Sequence, residues 1–246
     1  MKIIAANWKL HKNPSETREY FKELLANPQT MSASKKGRQL VFFPSTPCLE
    51  ATAQVLVNTS IWWGAQNCYT EAKGAFTGET SAQVVKDLGG QIILVGHSER
   101  RSLFKETDEF LAKKVHFVQG LGLTPLFCIG ETLGEREAEQ TFEIIDRQMR
   151  EGLKHANVGK SLVVAYEPVW AIGTGKVATS VQVASAHAQV FKTLKSLGFS
   201  EQTCILYGGS VKQDNSKELI SIPHVDGFLI GGASLDVKSY LSIADA

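Results

Sequence analysis

A chain of 246 residues, 43% hydrophobic and 21% charged, has the composition of an ordinary globular protein and length enough for one large core or two small ones. Its formal net charge of +1 gives no general attraction to nucleic acid or to an acidic membrane surface. No apolar run approaches the roughly 18 residues that a membrane helix needs, so a membrane protein is not expected.

The opening stretch Met1-Lys2-Ile3-Ile4-Ala5-Ala6-Asn7-Trp8 is too short, and polar too soon, for a signal peptide, which points to the cytoplasm. Cys48, Cys68, Cys128 and Cys204 lack CxxC spacing and sit mostly among apolar neighbours. Reduced, buried thiols fit that pattern better than a disulfide framework or a zinc site. Ile3 to Lys9 reads as a short strand, and Pro14-Ser15-Glu16 opens a helix with Tyr20, Phe21, Leu24 and Leu25 at helical spacing. Strand two, 39–43, stops at Pro44, and a helix runs from Pro47 to Leu56. Strand three, 61–65, leads into a long loop through Glu79. A helix over 81–88 precedes strand four, 91–95, which ends at Gly96-His97. A helix around 106–119 leads to strand five, 124–129. One long amphipathic helix, 135–154, leads to strand six, 161–165. A helix over 180–197 leads to strand seven, 204–207, and Gly208-Gly209-Ser210. A short helical piece, 216–220, leads to strand eight, 227–230, and Gly231-Gly232, before a last helix over 235–243.

Eight apolar strands alternating with helices, with no linker between them, imply a parallel sheet with right-handed crossovers. That count in about 250 residues is that of an α/β protein built as one closed (β/α)8 barrel domain over residues 1–246, eight parallel strands inside a ring of helices. An open doubly wound sheet would carry a dinucleotide fingerprint directly after an early strand. The near match Gly173-Thr174-Gly175-Lys176-Val177-Ala178 lies several residues beyond strand six and lacks the strand-turn-helix setting. It also fails as a phosphate-binding P-loop, with Trp at 170 and Val at 177.

In such a barrel the chemistry gathers at the carboxyl ends of the strands. Those ends hold Asn7 and Lys9 after strand one, His97 after four and Glu167 after six, with glycine clusters after six, seven and eight. Pro168 cannot extend a central strand, so Glu167 is expected as the last residue of strand six. The stretch that follows has a stiff start, Pro168-Val169-Trp170, and a small, glycine-rich tip, Ala171 to Gly175. That is the make-up of a lid able to govern water around a general base. Gly173-Thr174-Gly175, Gly208-Gly209-Ser210 and Gly231-Gly232 can bring backbone N–H groups close together, and Gly232 precedes a helix, an arrangement suited to a phosphate dianion. His97 stands just before a helical turn, whose N-terminus disfavours the imidazolium, so it can stay neutral and donate a hydrogen bond. Glu99 can pair with Lys9 across the mouth. Ser98 beside His97 is not a nucleophile–base pair, because adjacent residues rarely point together.

The stretches Asn7-Trp8-Lys9, Gly74 to Glu79, Val95 to Arg101, Tyr166 to Lys176, Tyr207 to Val211 and Asp226 to Leu235 resemble triosephosphate isomerases, in the family's order, over residues 3–241. The resemblance implies a TIM barrel that interconverts dihydroxyacetone phosphate and D-glyceraldehyde 3-phosphate in glycolysis and gluconeogenesis, with no metal and no cofactor. It assigns Glu167 as the base, His97 as the neutral electrophile, and Lys9, with Asn7 beside it, as the charge over the enediolate. Gly173, Ser210 and Gly232, next to Gly231, would hold the phosphate through backbone N–H groups. It also implies a homodimer through the loop Gly74–Glu79, with the tip at Thr77 reaching the other subunit's site near Asn7 and His97. The chain departs from the family's usual string at Ala6, at Leu10-His11 and at Ser180, where a helix-opening proline is usual.

Two other readings use the same residues. A phosphosugar aldolase would form a Schiff base on Lys9, which needs a depressed amine pKa that a nearby Glu99 opposes. A barrel that binds sugar phosphates or a protein partner without turnover would have no need of Glu167 or of a lid.

Overall fold

The computed structural model describes residues 2–172 and 176–246. The chain opens with β1 (Lys2–Asn7), α1 (Pro14–Ala26), α2 (Pro28–Lys35), β2 (Arg38–Phe43), α3 (Leu49–Leu56), β3 (Trp62–Ala65) and α4 (Ala82–Asp87). It continues through β4 (Ile92–Val95), α5 (Ser98–Leu103), α6 (Asp108–Gly120), β5 (Thr124–Ile129), α7 (Leu133–Glu137) and α8 (Thr141–Gly152). Then follow β6 (Val163–Tyr166), α9 (Ser180–Ser196), β7 (Cys204–Tyr207), α10 (Gln213–Ser221), β8 (Gly227–Ile230) and α11 (Val237–Ala244). Neighbouring strands pair in parallel, and β1 pairs with β8, Ile3 opposite Gly227 and Ala6 opposite Ile230, so the barrel is closed as expected.

Side chains alternate across each strand, and the two faces build two cores. Ile3, Ala5, Val41, Phe43, Ile92, Leu94, Leu126, Cys128, Val163, Ala165, Leu206 and Leu229 fill the barrel. Ile4, Ala6, Phe42, Val164, Tyr166 and Ile205 face outward and pack under the helices, where Trp8, Tyr20, Phe21 and Phe42 form an aromatic cluster with ring centroids 4.8–5.8 Å apart. The inward parity of β1 and β6 carries on past the strands: Ile3, Ala5 and then Asn7; Val163, Ala165 and then Glu167. The barrel's own period thus aims both residues at the mouth.

Several boundaries differ from the sequence expectation. Strand six starts two residues later than expected and ends at Tyr166, so Glu167 is not its last residue but lies one beyond it, although its N–H still donates to Ile129 O at 2.7 Å. The expected helix over 135–154 is two helices, α7 and α8, with Glu139 between them at φ +60°. Helix α2 was not foreseen; it starts on Asn27, whose side chain accepts from Gln29 N–H, with Pro28 in its first turn. Cys48, Cys68 and Cys128 are buried and Cys204 is half-buried, all as free thiols.

Candidate active site

Glu167 is 2% exposed, and its carboxylate meets two donors. Oε1 lies 3.0 Å from His97 Nε2, and Oε2 accepts from the Ser98 backbone N–H at 3.0 Å. Gly208 makes room for it, since a Cβ there would stand 2.8 Å from Glu167 Cγ. Burial works to raise the Glu167 carboxyl, but the His97 ring and the Ser98 N–H outweigh it, so the acid sits below its usual range.

His97 caps the N-terminus of α5. Its Nδ1 accepts from Glu99 N–H at 3.3 Å, which leaves the ring proton on Nε2, where it faces Glu167. Burial works to lower the imidazole, and the Glu167 carboxylate outweighs it, so His97 sits above its usual value. The helix terminus alone does not set the charge of this ring, as the sequence suggests; the carboxylate against it pulls harder.

Lys9 adopts φ +51°, a strained backbone for a residue with a side chain, and its N–H donates to Asn7 Oδ1 at 3.0 Å. Asn7 thereby holds the turn that swings Lys9 over the mouth. Lys9 Nζ forms the expected pair with Glu99 at 2.7 Å. Asn7, Lys9, His97, Glu167, Ser210, Gly231 and Gly232 all line one cavity of about 250 Å³ at the carboxyl end of the barrel. Of the expected site residues, Gly173 lies outside the described residues. The Ser210 hydroxyl donates to Ala171 O at 3.1 Å, tying the turn after β7 to the stretch that follows Pro168. Gly232 opens a short 3-10 turn, Gly232–Ser234, rather than leading directly into α11.

Sequence reasoning missed Glu131, two residues past the end of β5. It is fully buried and accepts from Tyr166 Oη at 3.1 Å, Trp170 Nε1 at 2.9 Å and Arg136 Nη1 at 2.7 Å. The residues just before and just after Glu167-Pro168-Val169 are thus anchored to one carboxylate. Its place at a strand end was a usable signal. Among the described residues no cluster of three or more His, Cys, Asp or Glu is placed to hold a metal ion.

A proton acceptor shielded from water at the edge of an anion-sized, glycine-lined hollow can shuttle a proton on a small phosphorylated molecule held there. The molecule is thereby placed among the barrel enzymes that work by acid–base chemistry. A family profile described as "Triosephosphate isomerase" matches residues 2–246. A triosephosphate isomerase of Bdellovibrio bacteriovorus is 61% identical over 246 residues, covering 99% of this chain and 98% of that protein. One from Thermodesulfovibrio yellowstonii is 42% identical over 98% of each. The crystal structure of triosephosphate isomerase from Bartonella henselae superposes with a TM-score of 0.89 at 33% identity, over 99% of this chain and 98% of that one. The chain belongs to the triosephosphate isomerase family and is an isomerase.

Proposed function

We infer that the chain interconverts dihydroxyacetone phosphate and D-glyceraldehyde 3-phosphate as a single barrel domain, with Glu167 as the base. The observation that carries this is the contact of a buried carboxylate with an imidazole whose proton is fixed on Nε2. Glu167 takes a proton from carbon 1 and returns it to carbon 2. His97 Nε2–H and Lys9 Nζ stabilise the oxyanion that forms between the two steps. When Glu167 turns from His97 toward the substrate, the charge that raises the imidazole leaves with it, and the helix N-terminus favours the neutral, hydrogen-bond-donating ring. Backbone N–H groups of Ser210, Gly231 and Gly232, and of Gly173 by resemblance, hold the phosphate. No step calls for a metal or a cofactor. Closure of the stretch after Pro168 excludes water and protects the enediolate from losing phosphate.

The protein works as a cytoplasmic homodimer. Four free thiols and, among the described residues, no helix long and apolar enough to cross a membrane support that location. The dimer is supported by the exposed loop Gly74–Glu79, built on Phe76 packed against Tyr69 with centroids 4.2 Å apart. It is supported also by a second cavity of about 440 Å³ that meets the first at Asn7, Lys9 and His97 and opens onto Leu10, Leu103 and Phe104. Leu10 is 96% exposed, an apolar side chain that a partner's Thr77 loop would cover. The aldolase reading is disfavoured because Lys9 Nζ is held in an ion pair with Glu99, not presented as a free amine. A coupled assay with glyceraldehyde 3-phosphate, run with a chelator present, tests the activity. Turnover that vanishes in Glu167→Gln supports the reading. A borohydride-trapped Lys9 adduct without isomerisation, or phosphoglycolate binding without turnover, overturns it.

A further inference from the structure

Helix α8 turns Ile145, Gln148, Met149 and Gly152 toward the core, and Gln148 is the polar side chain on that apolar stripe. It is 6% exposed, and its amide is used twice on one residue. Gly130 N–H donates to Gln148 Oε1 at 2.8 Å, and Gln148 Nε2 donates to Gly130 O at 3.1 Å. Gly130 in turn lies directly against the backbone of Glu167: a Cβ on it would stand 1.7 Å from the Glu167 carbonyl oxygen. On either side of Gly130 the two segments are hydrogen-bonded, Glu167 N–H to Ile129 O at 2.7 Å and Val169 N–H to Glu131 O at 3.1 Å. Residues 129–131 are therefore a rail on which the backbone of Glu167 is seated, and Gln148 grips the middle of that rail from the helix layer.

We propose that Gln148 is a positioning residue for Glu167, fixing through Gly130 the backbone from which the carboxylate projects while touching neither carboxylate nor substrate. The Ile129–Gly130 peptide is held at its N–H by Gln148 and at its C=O by Glu167 N–H, and the Gly130–Glu131 peptide is held at its C=O by Gln148, so neither can rotate without leaving a buried polar group unpaired. A densely packed interior passes any shift of Gly130 straight to Glu167 instead of absorbing it. The proposal rests on Glu167 being the base, and its effect is on reach, so it separates chemistry from binding.

The test compares Gln148→Leu and Gln148→Glu with the wild-type protein. Leucine has a similar volume but neither donor nor acceptor. The expected result is a kcat lowered about ten- to a hundredfold, the scale of a misplacement near 1 Å. Inhibition by glycerol 3-phosphate, which needs only the phosphate hollow, stays within about twofold. Phosphoglycolate carries a second charged group that would reach toward Glu167 once its phosphate fills the shared cavity, so its affinity is expected to weaken in step with kcat. A buried glutamic acid presents one O–H donor and one C=O acceptor, as the amide does, whereas its carboxylate only accepts. The kcat of Gln148→Glu relative to wild type should therefore rise several-fold from about pH 8 to about pH 6, while that of Gln148→Leu stays flat. A folded leucine variant with wild-type kcat, or one losing kcat and glycerol 3-phosphate affinity alike, overturns the proposal. If the leucine variant does not fold, the pH profile of the glutamate variant decides, and a flat profile overturns it. Wild-type protein without isomerase activity would instead refute the role of Glu167 itself.

Discussion

Glu167 holds its carboxylate against the His97 ring and the Ser98 amide, and shortening the side chain tests how far the chemistry depends on reach. For Glu167→Asp we expect kcat to fall about a hundredfold or more with the affinity for glycerol 3-phosphate nearly kept, because the base withdraws by about 1 Å from near-attack distance. Full rate in that variant would remove Glu167 from the mechanism. His97→Gln, which keeps a donor but loses the fixed imidazole, should show a smaller but clear loss of kcat in the same assay. His187 on α9 titrates for a different reason. It is fully buried beside Tyr166 and Tyr207, with Nδ1 on His224 O at 2.8 Å and Nε2 unpartnered. Burial drives its pKa down to about 4, against the opposing pull of the His224 carbonyl. The unfolded chain binds this proton near pH 6.5 and the folded one does not, so folded stability is complete above that pH and declines as pH drops toward 4. Between pH 7 and pH 5 the expected loss is about 2 kcal/mol. Denaturant unfolding at both pH values should show that loss reduced by this amount in His187→Phe, and an unchanged pH dependence would refute the assignment.

At the scale of elements, the order of strands and helices was legible because alternating apolar runs and glycine or proline stops mark each βα unit. The strand-end residues followed from architecture, and the mouth-facing parity of Asn7 and Glu167 follows from a period of two counted from Ile3 and Val163. What was not legible depends on tertiary contact. The break between α7 and α8 falls among good helix formers; it is made by Glu139 in the left-handed region and by Gln140 N–H turning back to Glu135 O at 2.9 Å. Gln148 reads from sequence as one more polar residue on an amphipathic helix, and only its contact with Gly130 gives it meaning. The departure at Ser180 is resolved at this scale too. Thr179 and Gln182 form a capping box, Thr179 N–H to Gln182 Oε1 at 2.9 Å and Gln182 N–H to Thr179 Oγ1 at 3.3 Å, so α9 starts firmly without a proline. Thr179 is already extended, at φ −69° and ψ 154°, as the residue before a proline must be. Ser180→Pro should therefore be tolerated and gain about 0.5 kcal/mol from the less flexible unfolded chain, offset by the lost hydroxyl contact to Glu218. A clear drop in Tm would show that the cap needs the serine.

At the scale of the whole molecule, the exposed Leu10, Leu103 and Phe104 around the second cavity predict that the isolated subunit is an incomplete enzyme. Removing residues around Thr77 should yield monomers with low kcat. Sedimentation that finds fully active monomers would defeat the dimer. The closure of β1 on β8 has a consequence for how the chain comes to be folded. A ribosome delivers β1 first, yet both its neighbours, β2 and β8, are needed to satisfy its backbone, and β8 emerges only after seven other strands have been made. Until then the nascent sheet carries two open rims able to pair with any other extended chain. Synthesis of this molecule thus passes through a stage in which an unfinished cylinder must be kept from its neighbours, and the last strand to arrive is the one that seals it.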